Sequence, residues 1–330
     1  MDWGDILFDG VLAALGPAGA AYALSAMGLN LQFGYTGLLN FGHVAFMMAG
    51  AYGTAITVDA GGSLWLGVIV GIASGALLGM LLGIPTLRLR ADYLAIVTIS
   101  IGEIMRLFAR SGFAEPLTGG VFGIQAFAGE FFDLNPFAPG ARYGWGEFVF
   151  QGRALFVSLV GWALVGLGVI VTWKLIRSPW GRVVRAVRED EDAVRSLGKN
   201  VFFYKLQALM LGGAFGALAG LLLAIEQQNV TPNSFEPRVT FFLYVVVIVG
   251  GAGTVIGPVI GSLIFQFLFF FFDSFMGSAQ EQGWFDWAGF DATDAAQVKL
   301  VLVGAGLMAL MAFRPQGIFG SKEEMLVGDT

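Results

Sequence analysis

Glu103 and Arg106 stand three residues apart in an otherwise apolar run, a spacing that puts both on one helical face. Charge and countercharge then offset each other where either alone would be costly in lipid. They read as a self-compensating pair rather than as substrate ligands. The single histidine, His43, lies beside Asn40 and Thr36 in a stretch without carboxylates, which suits hydrogen-bonded packing better than proton transfer. Two glycine-broken stretches offer chemistry of another kind. One runs from Asn30 through Gly34 and Gly37 to His43, the other is Gly250-Gly251-Ala252-Gly253-Thr254-Val255-Ile256-Gly257-Pro258. Broken backbone exposes peptide groups and helix ends, whose partial charges can line a polar path through a membrane. Thr36, Asn40, His43, Gly250, Gly251, Gly253 and Gly257 are therefore candidate path residues. Arg188, Glu189, Glu191, Asp192, Ala193 and Gly198 form a dense mixed-sign stretch suited to docking, not catalysis.

The elements that must position these groups follow from composition. The chain has 330 residues, 56 % hydrophobic and 13 % charged, too few charges to cover a soluble surface of this size. Uncharged blocks run Val11 to Leu29, Leu38 to Val58, Leu64 to Ile84, Ala154 to Trp173, Leu206 to Ile225 and Val239 to Phe272. Each is near or above the roughly 20 residues that cross a hydrocarbon core. The fold class is an all-α polytopic membrane protein of about 8–10 transmembrane helices, some broken or half helices, forming a single domain over 1–330. Without Lys or Arg before Arg88 the first block is expected to remain as an anchor. With no cysteine and one histidine, disulfide frameworks and Cys or His metal clusters are excluded. A net charge of −6 with one basic loop argues against nucleic acid as a partner.

Orientation follows from the basic residues. Lys174, Arg177, Arg182, Arg185, Arg188, Arg195, Lys199 and Lys205 crowd into 174–205, which is expected to be cytoplasmic. Arg88 and Arg90, and Arg314 and Lys322 in the tail, fit the same side. Segments 110–153 and 273–298, the latter with Asp273, Glu281, Asp286, Asp291 and Asp294, are expected outside. Val239 to Phe272 must then enter the membrane and return, so a pair of short or half helices is expected there. One broken polar patch in each half suggests an internal repeat with the path at its interface. Gly67, Gly71, Gly75, Gly79 and Gly83, like Gly212, Gly216 and Gly220, recur every four residues and read as grooves for close helix contact. Glu226, Gln227, Gln228 and Asn229 end a span at the outer face; lining an entry vestibule is one reading of them, and plain solvation, usual at a span's end, is the expected one. In the charged loop, Val183, Val184, Val187, Ala193, Val194 and Leu197 recur at helical spacing, giving short amphipathic helices. The four acids Glu189 to Asp192 would be repelled by an anionic leaflet, so a protein partner is expected on them.

Asp192-Ala193 and Gly198 resemble the acidic-Ala-x-x-x-x-Gly signature of ABC importer permeases, with Asp for the more usual Glu. Leu29 to Tyr52, Leu87 to Leu107, Ser178 to Asn200, Val245 to Ser262 and the closing RPQGIFG (Arg314 to Gly320) are similar, in order and spacing, to permease subunits of high-affinity branched-chain amino-acid ABC importers. The resemblance extends from about residue 20 to residue 320. Least is recognisable around Phe131 to Trp145 and Gly283 to Phe290.

The resemblance implies a second homologous permease subunit, two cytoplasmic ATPase subunits that use ATP and Mg, and an external substrate-binding protein. It implies no catalytic residue and no cofactor on this chain, and a bacterial or archaeal plasma membrane. The sequence agrees that energy comes from elsewhere, since Gly198-Lys199 lacks the remainder of a phosphate loop. Branched-chain or related small amino acids are the implied solutes, urea or short amides the alternative. An ion-coupled secondary transporter would need intramembrane carboxylates, and Glu103, the one well inside a span, has Arg106 beside it. An intramembrane enzyme would need a nucleophile and base or a metal set that the sequence does not supply.

Overall fold

The computed structural model describes residues 3–282 except 90, 139, 146 and 147, together with 298, 301, 304, 305 and 317–319. The described residues are mostly helical. α1 (Trp3–Leu15) and α2 (Pro17–Gln32) form one apolar stretch bent by 47°. α3 (His43–Asp59), α4 (Leu64–Thr86) and α5 (Ala91–Arg110) follow. Residues 111–151 hold α6 (Glu115–Thr118), β1 (Ile124–Gln125), α7 (Gly129–Asp133) and a hairpin of β2 (Arg142–Trp145) with β3 (Phe148–Gln151). Then come α8 (Gly152–Arg177), α9 (Pro179–Glu189), α10 (Glu191–Ser196) and α11 (Val201–Gln227). β4 (Asn229–Val230), a 3-10 turn at Pro232–Phe235, α12 (Pro237–Gly250) and α13 (Gly257–Glu281) complete the described fold.

Among the described residues α4, α8, α11 and α13 are each long and apolar enough to cross a membrane, and the bent α1–α2 pair is apolar and long enough when its two helices are taken together. α3, α5 and α12 fall outside that description by length or polarity yet pack with the others. Two expected spans differ from their sequence reading. The block Val11 to Leu29 is interrupted because Gly16 is extended and Pro17, at the first helical position, has no N–H to give. Val239 to Phe272 is the expected pair joined by broken backbone, but its two helices are unequal. α12 has 14 residues while α13 has 25, because Gly251 and Gly253 at positive φ end the first and Pro258 opens the second. Residues 273–281 accordingly continue α13 instead of starting an external loop. Asp286, Asp291 and Asp294, the stretch Gly283 to Phe290, and Arg90, Arg314 and Lys322 lie outside the described residues.

α11 is the centre of the bundle: 72 % of its most apolar window is buried, against 33 % for α4 and 28 % for α8. It packs on α2, α3 and α4. The glycine rows make this possible. A Cβ at Gly75 would stand 2.6 Å from the Gly213 carbonyl oxygen, and one at Gly71 2.7 Å from that of Gly50. Gly212 faces α2 across Gly28, and Gly216 and Gly220 take Phe46 and Met47 of α3. Close backbone approach supplies the packing that the hydrophobic effect cannot supply between helices in lipid.

The two ends of the bundle are distinguishable. At the basic end Leu87, Arg88 and Leu89 share a groove with Glu191, Asp192, Arg195, Lys199 and Lys205. At the far end the Leu64 N–H donates to Glu130 Oε2 at 2.8 Å, and β1 pairs antiparallel with β4, Ile124 opposite Val230.

Candidate functional site

The two glycine-broken stretches, 220 residues apart in sequence, meet in the fold. α2 ends in Asn30-Leu31-Gln32, and the Asn30 amide reaches across to the turn between α12 and α13. Its Nδ2 donates to the Thr254 carbonyl at 2.8 Å, and its Oδ1 accepts from the Gly253 N–H at 2.8 Å. Gly34 makes that approach possible, since a Cβ there would stand 2.0 Å from Asn30 Oδ1 and 2.5 Å from Gly253 N. The turn itself is tied by Thr254, whose hydroxyl donates to Gly251 O and accepts from Gly257 N. Behind it, the Ile318 and Phe319 N–H groups donate to the carbonyls of Val249 and Gly250, with Gly317 at a φ of +74°. The carbonyls at the end of α12 thus find the donor partners that a helix C-terminus inside a membrane needs.

The other broken end is closed by side chains. Residues 33–42 run along α12, where Phe41 stacks on Tyr244 with ring centroids 4.6 Å apart. At the start of α3 the Phe41 N–H donates to Thr98 Oγ1, the Gly42 N–H to Asn40 Oδ1 and the Val44 N–H to Thr240 Oγ1. Thr98 is in the third turn of α5 and Thr240 in the first of α12, so the N-termini of α3 and α12 converge within the bundle. Beneath them Gln32 is a hub: Oε1 accepts from Asn40 Nδ2 at 2.9 Å and lies 3.2 Å from His43 Nδ1, while Nε2 donates to Leu209 O. His43 is fully buried against Gly28, Gly216 and Phe46, with no carboxylate hydrogen-bonded to it among the described residues.

The candidate path residues therefore divide. Asn40, His43, Gly250, Gly251 and Gly257 are buried and used in hydrogen bonding or tight turns. Thr36 donates to Leu31 O and, with Gly37 and Leu38, lines a cavity of about 290 Å³ at the basic end, shared with Leu87, Leu94, Val187 and Arg188. Gly253 joins the two breaks. Asn30 and Gln32 enter the sequence reading only as part of the first broken stretch, and Thr98 and Thr240 not at all. The available signal was amide and hydroxyl side chains inside apolar runs, where a polar group needs a partner.

The charged loop is α9 and α10. Pro179 starts α9, whose Val184 and Val187 are buried, and Trp180 Nε1 donates to Gln207 Oε1 of α11 at 2.8 Å. Asp190 caps α10 by accepting from the Ala193 N–H, and Gly198 at a φ of +77° ends it. Val194 is buried on this apolar face. Ala193 and Leu197, expected with it, are exposed: Ala193 sits one position round the helix from Val194, and Leu197, 79 % exposed, is the C-cap just before the chain turns at Gly198. The loop residues also divide. Asp192, Ala193 and Gly198 point outward, and Glu189 is half exposed, 3.7 Å from Arg188. Glu191 pairs with both Arg195 and Lys205. Arg188 turns inward: its guanidinium donates to the Gly34 carbonyl and its stem packs on Gly37.

Glu103 and Arg106 pair as expected, with Arg106 Nε to Glu103 Oε2 at 2.9 Å and Nη2 to Oε1 at 2.6 Å. They occupy the second half of α5, toward the far end, where Arg106 also reaches Asn233 Oδ1 at 3.4 Å. Glu226 differs from its sequence reading. It is only partly exposed and lines a cavity of about 480 Å³, because the chain reverses at Gln228 (φ +51°) and folds residues 229–235 back beside the end of α11. No cluster of three or more His, Cys, Asp or Glu suited to a metal ion occurs among the described residues.

A family described as the permease component of branched-chain amino acid transport systems matches residues 13–311. The chain is 33 % identical over 307 residues to the high-affinity branched-chain amino acid transport system permease protein LivM of Escherichia coli strain K12, covering 90 % of this chain and 67 % of that one. It is 25 % identical over 344 residues to a probable branched-chain amino acid transport permease LivM of Methanocaldococcus jannaschii, 91 % of each chain. It is 26 % identical over 245 residues to the nucleoside ABC transporter permease NupC of Lactococcus lactis subsp. cremoris, 69 % of this chain and 71 % of that one. No solved structure matches.

Proposed function

The chain belongs to the permease family of branched-chain amino acid transport systems, and from that premise we propose how it is driven and what it carries. It is a multi-pass membrane protein and the permease component of an ABC importer, a transport subunit and not itself an enzyme. The solutes proposed are branched-chain and related small amino acids. The assembly proposed holds a second homologous permease, two ATPase subunits at the basic end and an external binding protein at the far end, in a bacterial or archaeal plasma membrane. ATP and Mg are used by the ATPases, and this chain holds no cofactor of its own. Segment 174–205 is then the cytoplasmic coupling loop, and 110–153 faces outside.

The observation that carries the coupling role is the inward turn of Arg188. An ATPase engaging the exposed Asp192, Ala193 and Leu197 moves α10, and α10 is joined to α9 through the shared residue Asp190. α9 carries Arg188, which holds Gly34, and Gly34 lies against Asn30 and the Gly253 turn. Displacing the loop therefore pulls on both broken segments at once. A charge-assisted hydrogen bond transmits such a pull better than apolar contact, because leaving the Gly34 carbonyl and the guanidinium unpaired is costly.

Reconstitution tests the proposal. Proteoliposomes with the partner subunits should take up labelled leucine, isoleucine or valine only when ATP and loaded binding protein are present. Urea or short amides should not compete. Uptake by this chain alone on a proton or sodium gradient would overturn it.

A further inference from the structure

The cavity beside Glu226 lies at the far end of the bundle, between α2, α11 and α13, and is roofed by the turn from Asn229 to Val239. Its volume of about 480 Å³ falls within the range of about 300–1,000 Å³ typical of small-molecule sites. Glu226 is the charged side chain among its lining residues, and it makes no hydrogen bond or ion pair with the described residues. Asn229 contributes an amide oxygen, Oδ1, that is buried and without a hydrogen-bond partner. Tyr22, Phe269 and Phe270 provide aromatic walls, Leu223 and Val239 aliphatic ones. An unpaired carboxylate and an orphaned carbonyl oxygen beside aromatic rings make a site that wants hydrogen-bond donors carrying positive charge. An inorganic cation such as calcium would use the oxygens of this wall but leave its aromatic and aliphatic faces without a role.

We propose that this cavity is an outer subsite for the ammonium group of the solute, with Glu226 as its counter-ion and the aliphatic wall receiving the side chain. The inference rests on the reading of the solute as an amino acid. Glu226 stands where a solute released at the far end first meets the bundle, so it selects zwitterions before the path opens further in.

Equilibrium binding to the assembled importer in nanodiscs, without binding protein, tests this. The probe is tritiated leucine, displaced either by unlabelled leucine or by 4-methyl-2-oxopentanoate, which keeps the tail and carboxylate but lacks the ammonium group. The native protein should prefer leucine by about tenfold or more, as expected for one charge-assisted hydrogen bond. Glu226→Gln should lose that preference, and Glu226→Asp should recover most of it, showing that the fold is intact. A Glu226→Gln protein that keeps the native preference would overturn the subsite, as would displacement of leucine by sodium or potassium chloride no weaker than by leucine. Uptake separates this from the broader reading. ATP-driven leucine uptake by the native assembly with an unchanged preference in Glu226→Gln removes only the subsite, whereas no leucine uptake at all removes both.

Discussion

At the residue scale the fold assigns opposite tasks to neighbours. Arg188 and Asp192 lie four positions apart in one charged run, yet one is hydrogen-bonded into the bundle and the other is 89 % exposed. Replacing Arg188 by Gln removes the charge while keeping a donor. The solute moved per ATP hydrolysed should fall about tenfold, as measured in proteoliposomes, because a hydrogen bond to a charged group is roughly twice as strong as a neutral one, a difference of about 1–1.5 kcal/mol or about tenfold in an equilibrium. An unchanged ratio would remove Arg188 from the coupling route. Glu103 and Arg106 make a second residue-scale case. Either alanine variant leaves a lone charge on α5 and should lower the amount of folded protein in the membrane. Exchanging the two residues should restore it, and failure of the exchange would show that the pair does not compensate itself.

At the scale of elements, the glycine rows decide which helices touch. A Cβ at Gly220 would stand 1.9 Å from the Met47 carbonyl oxygen, whereas one at Gly166, on α8, would meet nothing within 4 Å. Gly220→Ala should therefore separate α11 from α3 and destabilise the protein by about 1–3 kcal/mol or more, while Gly166→Ala should be neutral or slightly stabilising. Thermal unfolding midpoints in detergent would distinguish the two, and equal midpoints would count against α11 as the central packing helix. The broken elements follow a related logic. α3 and α12 end inside the bundle only because Thr98, Thr240 and Asn40 supply acceptors at one terminus and Ile318 and Phe319 supply donors at the other.

For the whole molecule, the arrangement predicts which parts face which compartment. The chain has no cysteine, so single cysteines report cleanly. One at Ser196 should react with an impermeant maleimide only in inverted vesicles. One at Asp133, in the 111–151 segment, should react in intact cells. Labelling of both from the same side would break the frame on which coupling depends. The far-end cavity at Glu226 and the basic-end cavity at Thr36 share no lining residue, and Asn30, which ties the two breaks together, lines neither of them.

Composition alone determined that the chain is a helical membrane protein, because a surface with so few charges has no other solvent. Glycines spaced by four residues marked the helix contacts, since that period is fixed by helix geometry, and the mixed-sign run ended by Gly198 marked the surface loop. Only the tertiary structure decided that Asn30 bridges the two breaks, that Arg188 faces inward and that Glu226 lines a cavity. Those facts depend on partners tens to hundreds of residues away. A side chain's local pattern states what it needs, a hydrogen bond or a counter-charge, while the packing of distant helices decides who supplies it.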